Sequence, residues 1–320
     1  MPWPDLTIVP EGAVTRLVWT AGAGLVDQPV AFLASGDAYL AADGVTDALA
    51  RFVDQVLVRL TEAGVSDTVL QQEWQLVADG DAEANDFAAA VARLGSDPFD
   101  VPDALADDVL ALAEELEPAV LAEFLDSARP AEIRRALHWL QRARTDVVKR
   151  ARPGLQLPVD WRRSFSASPP QRTPWATGYT VARAYREQLT LGPRDGFPAE
   201  DLVATTSLDA SAGGLQGLVA VAERTQVGLV LPAELRFGPA SVRFAQARAL
   251  ALSLLTDREL LLLDPAHTDL SKTARAFAAE SLAPAEGIRD YLAVLPEVTT
   301  SALEAVAGYY DVSPLLVQHQ

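Results

Sequence analysis

Between Arg150 and Thr180 the helical periodicity of the chain stops, and five prolines (Pro153, Pro158, Pro169, Pro170 and Pro174) cluster around Ser164, Ser166 and Ser168. Proline fixes φ and cannot donate a backbone hydrogen bond, so neither a helix nor a central strand runs through such a stretch. The segment 151–175 therefore reads as a linker, dividing an N-terminal domain, 1–150, from a C-terminal domain, 176–320. A length of 320 residues suits two domains that each bury a core of their own. The chain has no cysteine, which excludes a disulfide scaffold and a thiolate metal site. Apolar packing has to hold both halves.

Charge is distributed unevenly. Residues 1–150 carry 26 acidic and 11 basic side chains against 18 and 15 in residues 151–320, for a formal net charge of −18. Such a surface repels phosphate backbones, which argues against direct nucleic-acid binding. The linker is locally basic, with Arg152, Arg162, Arg163 and Arg172 against Asp160, and reads as a strap on an acidic neighbour rather than an RNA-binding arm. The start, Met1-Pro-Trp-Pro-Asp5, lacks the basic opening and apolar core of a secretory signal, and no apolar run reaches the ~20 residues of a membrane span. The expected compartment is the cytoplasm, with no membrane contact.

The pattern predicts a mostly helical α+β protein. In the N-terminal half, short strand-like runs at Arg16–Thr20 and Pro29–Leu33 precede a helix whose Leu49, Val53, Val56, Leu57 and Leu60 share one face. Further helices are expected at Asp67–Val77, Glu83–Leu94, Pro102–Leu116 and Pro130–Val148, with Asp97-Pro98 and Arg129-Pro130 as helix starts. This half reads as a short hairpin packed on a helical bundle. The C-terminal half reads as a helix, Thr180–Leu189, a hairpin of Leu215–Ala222 and Gln226–Leu231, and a long helix from Gly238-Pro239 to Leu255. Helices at Ser271–Leu282, Ser301–Tyr309 and Ser313–Gln318 complete it.

Three stretches of that half resemble the ImmA/IrrE family of metallo-endopeptidases. Val242-Arg-Phe-Ala-Gln-Ala-Arg-Ala-Leu-Ala-Leu252 is similar to the family's R-F-x-x-A-H-E-L-G-H helix. Ser271-Lys-Thr-Ala-Arg-Ala-Phe-Ala-Ala-Glu-Ser-Leu-Ala-Pro284 resembles its E-x-x-A-N-x-F-A-A-x-L-L-M-P stretch, and Ala307-Gly-Tyr-Tyr-Asp-Val-Ser313 its terminal helix pair. The resemblance covers residues 176–320 and implies a minimal zincin-like domain. In that family two histidines four residues apart hold zinc and the intervening glutamate serves as general base. Those positions fall at Arg248, Leu252 and Ala249, and the third ligand falls at Ser271. An arginine stays protonated and offers no lone pair, alanine takes no proton from water, and leucine has no ligand atom. Hydrolysis by this route is impossible, and neither a metal nor a cofactor is expected. Leu252 should fill the zinc volume, on an apolar stripe with Val242, Ala245, Ala249 and Leu255. Arg248 needs a carboxylate partner, for which Glu280 and Asp269 are the candidates.

Other features carry less. His267 and Asp269 read as solvated loop residues rather than a relocated metal site, His138 as a half-buried helix residue, and His319 as part of a fraying end. There is no G-x-S-x-G elbow, and Gly22-Ala-Gly24 and Gly213-Gly-Leu-Gln-Gly217 read as turns rather than phosphate loops. Leu94–Pro98 and Tyr310–Pro314 fit the turn of a helix-turn-helix, but Leu315-Leu-Val-Gln-His-Gln320 has no arginine or lysine to reach DNA. The preferred reading is a catalytically inactive, peptidase-like binding or regulatory module for a protein partner. The resemblance implies a repressor of the Xre type, bound without being cut, with the hairpin accepting an added strand. Two alternatives stand beside it. One is a metal-free enzyme using the old cleft on a small molecule, with Arg248, Arg275 and Glu280 as its polar groups; the other is an acidic mimic of nucleic acid.

Overall fold

The computed structural model describes residues 5–11, 14–21, 34–80, 82–150, 173–208, 220–223, 228–233, 238–264, 268–295 and 297–320. The expected strand Pro29–Leu33, most of the proline-rich segment, the two glycine groups and His267 lie outside these residues. The protein is a mostly helical α+β chain in two compact units, residues 1–86 with 267–269, and residues 87–266 with 270–320.

The first unit opens with an antiparallel meander of β1 (Asp5–Glu11), β2 (Val14–Thr20) and β3 (Gly36–Ala41), of which only the β2 run carries a clear sequence signal. Helix α1 (Ala42–Glu62) follows without a break. Helix α2 (Val69–Asp79) begins in a capping box: Thr68 Oγ1 accepts from the Gln71 amide at 3.2 Å, and Gln71 Oε1 accepts from the Thr68 amide at 2.9 Å. Trp74 Nε1 donates to Asp54 Oδ1 at 2.9 Å and ties α2 to α1.

Helix α3 (Ala82–Arg93) contains the division between the units, which falls between Asp86 and Phe87. The boundary expected at residues 151–175 is therefore not where the chain divides, and the reason lies in the sheet of the second unit. Its strands are β4 (Ala204–Leu208), β5 (Ala220–Glu223), β6 (Gly228–Pro232) and β7 (Leu260–Leu263), in the order β4-β6-β5-β7. One face, with Leu229, Leu231, Leu261 and Leu263, shares a core with helix α9 (Pro239–Leu255). The other face, with Val230, Leu260 and Leu262, shares a core with α4 (Asp103–Glu115), α5 (Pro118–Ser127) and α6 (Ile133–Arg150). The acidic helices from Asp103 onward form one layer of this unit rather than part of a separate domain.

Because β6 and β7 are buried along their whole length, they read as unbroken apolar runs instead of alternating ones. The β5–β6 hairpin is present, though shorter than its expected span, but both of its strands are interior: β4 pairs parallel to β6, and β7 antiparallel to β5. Strand addition to the hairpin, expected from sequence, has no open hydrogen-bonding edge among the described residues. Asp97-Pro98 starts no helix; it forms a turn in which the Phe99 amide donates to Asp97 Oδ1 at 2.9 Å.

Helix α7 (Pro174–Gln188), the single turn α8 (Ala199–Leu202), and helices α10 (Asp269–Leu282), α11 (Ala285–Leu292), α12 (Thr300–Tyr310) and α13 (Pro314–His319) complete the layer on the α9 side. Gly178 lets α7 approach α10 closely, since a Cβ there would stand 2.5 Å from Thr273 O. At Gly287 a Cβ would meet Tyr310 Oη at 2.1 Å and Pro193 O at 2.2 Å. A Cβ at Gly308 meets nothing within 4 Å. Urea unfolding followed by circular dichroism should show Gly287→Ala destabilised by about 2 kcal/mol or more. Gly308→Ala, inside a helix with open space around it, should gain about 0.5 kcal/mol.

Candidate functional site

Helix α9 is the axis of the site. Gly238 and Pro239 start it, proline at N1 costing nothing where the amide has no intrahelical acceptor. Every residue from Ala245 to Leu254 is buried, so the helix is enclosed all round and not along the single stripe expected from sequence. Each polar side chain in this stretch then needs an internal partner. Gln246 Nε2 donates to Val203 O at 3.2 Å and Thr205 Oγ1 at 2.8 Å, and Ser253 Oγ donates to Leu250 O at 2.7 Å. The third such residue is Arg248.

Arg248 is 9% exposed, and its Nη2 donates to Asp264 O at 2.8 Å and to Ser271 Oγ at 3.2 Å. Ser271 Oγ in turn lies 3.5 Å from Asp264 Oδ1, to which it donates. Asp264 is 2% exposed and directly follows β7, so one guanidinium joins α9, the end of the central sheet and α10. Burial pushes this guanidinium down to about 10, the neighbouring Arg275 charge adds to the lowering, and Asp264 opposes it. Among the described residues, Arg248 Nε is buried without a hydrogen-bond partner.

Of the four sequence-flagged positions, Arg248 and Ser271 thus meet in one hydrogen bond, while Ala249 and Leu252 are core residues at 0% and 4% exposure. The expected carboxylate partner was Glu280 or Asp269; the acid beside Arg248 is instead Asp264. Glu280 is fully engaged elsewhere, its carboxylate accepting from Arg183 Nε at 2.7 Å, the Ala285 amide at 3.1 Å and Gln320 Nε2 at 3.2 Å. Sequence reasoning passed over Asp264, although a lone acid closing the run Leu260-Leu-Leu-Leu263 was a visible signal: it has to be bonded if that run is buried.

A cleft of about 540 Å³ opens beside Arg248. Arg248 and Arg275 line it together with Phe244, Ala245, Ala276 and Leu316. Burial also lowers the Arg275 guanidinium, against the pull of Asp264. Glu280, expected among the cleft's polar groups, does not line it. Tyr179 and Gln320 close one side, the Tyr179 hydroxyl donating to Gln320 Oε1 at 2.6 Å. His319, expected to fray, ends α13 and borders the same cleft.

The remaining motif residues are structural. Arg243 ties α9 to Asp311 Oδ2 at 3.2 Å and to Phe197 O at 3.1 Å, and Phe277 packs wholly buried against Tyr185, with ring centroids 6.1 Å apart. Arg186, which sequence reading did not single out, is buried and donates to the carbonyls of Ser281, Gly192 and Asp195. His138 is exposed on α6 instead of half-buried. Among the described residues no group of three histidine or acidic side chains is placed to hold a metal ion, and no helix is long and apolar enough to cross a membrane. The chain matches no protein-family model and no curated protein sequence.

A double-mutant cycle isolates the Arg248–Ser271 contact. Arg248→Met and Ser271→Ala, measured singly and together by urea unfolding, should show a coupling of about 1 kcal/mol. Additivity of the two would mean that the hydrogen bond contributes nothing.

Proposed function

We propose that the protein is a non-hydrolytic binding or regulatory module, built on a zincin-like domain whose metal positions have become structural. The observation that carries this reading is the Arg248–Ser271 hydrogen bond. In the resemblance, these two positions supply ligands to one metal ion. Here their side chains still converge, but on each other, through a cation and an alcohol that bind no zinc. Leu252 and Ala249, packed without solvent access, leave no room for a second ligand or for a base that activates water. What survives is a scaffold with a cleft, and a scaffold of that kind binds without cutting.

The partner implied by the resemblance is a repressor of the Xre type. Contact through an extended segment falls to β4, an edge of the sheet with Thr205 and Ser207 exposed, because the hairpin is interior. Mixing the purified protein with the Xre-type repressor of its own host, and resolving the products by size-exclusion chromatography and mass spectrometry, tests the reading. A complex at physiological salt containing full-length repressor is the expected result. Absence of a complex, or cleavage of the repressor, would overturn it.

A further inference from the structure

We propose that the outer face of α2 is a docking site for a cationic amphipathic helix of a partner protein. The first reason is burial. None of the eleven residues of α2 is buried, and Val69, Leu70, Leu76 and Val77 are between 38% and 67% exposed. At about 100° per residue these four side chains and Glu73 share an arc of about 120°, and Trp74, whose indole bonds Asp54 on α1, lies outside it. A helix this short gains little from its backbone alone and is normally held by burying such a stripe. The capping box nevertheless fixes the start of α2, so the stripe is presented on a formed helix.

The second reason is spacing. Val69-Leu70 and Leu76-Val77 stand one heptad apart, the repeat by which a helix packs along a facing helix. The third is charge, which selects the partner. From Glu62 to Asp86 the chain has seven acidic side chains and no basic one, and Glu73 sits inside the apolar arc. A helix that covers the stripe therefore has to bring a lysine or arginine to Glu73, since a carboxylate covered without a cation is costly. A second copy of the chain would set one acidic face against another, and an anionic lipid surface would meet the same repulsion. The face belongs to the first unit and the repressor contact proposed above to the second, so either can fail alone.

Isothermal titration of the full chain with a synthetic leucine–lysine amphipathic helix tests the site. Two controls accompany it, an isomer of the same composition in scrambled order and an analogue with glutamate in place of lysine. One ordered peptide should bind per chain, with both controls failing to bind at the same concentrations. Val69→Ala with Leu76→Ala should weaken the ordered peptide by about tenfold or more, the loss expected when apolar side chains leave a buried contact. Glu73→Gln should weaken it by about threefold or more, as loss of an ion pair at an interface does. Leu110→Ala, at an exposed position on α4, should leave it unchanged, and circular dichroism checks that each variant folds. Equal binding of the scrambled isomer, undiminished affinity in the folded α2 variants, dimers of the chain that Leu76→Ala dissociates, retention on phosphatidylserine vesicles that Leu76→Ala abolishes, or no binding at millimolar concentration would overturn the proposal.

Discussion

A guanidinium cannot be enclosed in a helix packed on every side unless its hydrogen bonds are met from within the fold. Arg248 meets this constraint through Nη2, which reaches the carbonyl of Asp264 at the end of the sheet and the hydroxyl of Ser271 on the next helix, while its Nε finds no acceptor among the described residues. Three elements that are separate in sequence are registered on that one group. Arg186 acts in the same way at the C-terminal end of α10, where its guanidinium gathers the carbonyls of Ser281, Gly192 and Asp195. The half of the protein around α9 is thus pinned internally by buried cations, while the exposed surface carries most of the acidity.

The central sheet sets the second constraint. With apolar side chains projecting from both faces of β6 and β7, it has to be covered twice, and the chain supplies one cover from before the proline-rich segment and one from after it. Residues on either side of a stretch that looks like a domain boundary therefore fold into one unit. Pairing of β4 with β6 and of β7 with β5 places the hairpin in the interior of the sheet, closing the edge that a peptidase-like reading would have left open to a partner.

Much of the helical skeleton was legible from sequence because it depends on local rules. Gly238-Pro239 starts α9 and Leu255 ends it as the pattern predicts, and the helix expected at Asp67–Val77 appears as α2 (Val69–Asp79). Strands β4 and β7 were not legible. β4, Ala204-Thr-Thr-Ser-Leu208, carries apolar residues only at its ends, and β7, buried on both faces, loses its alternation and is too short to separate from loop or helix on hydropathy alone. The candidate site was half legible. Arg248, Ala249, Leu252 and Ser271 were flagged by resemblance, and the structure brings Arg248 and Ser271 together. The identity of Arg248's neighbour was not, because Asp264 is 16 residues away along the chain and comes beside it through the packing of α9 on β7. Glu280 was the reasonable candidate on α10, but it is committed to Arg183, the Ala285 amide and Gln320.

The central claim is that a metal position has been converted into a structural hydrogen bond. Zinc content by mass spectrometry, on protein loaded with excess Zn²⁺ and then dialysed, tests it most directly. The account predicts no stoichiometric zinc and no change in thermal stability on loading. One zinc retained per chain, accompanied by proteolysis that a chelator stops, would contradict it.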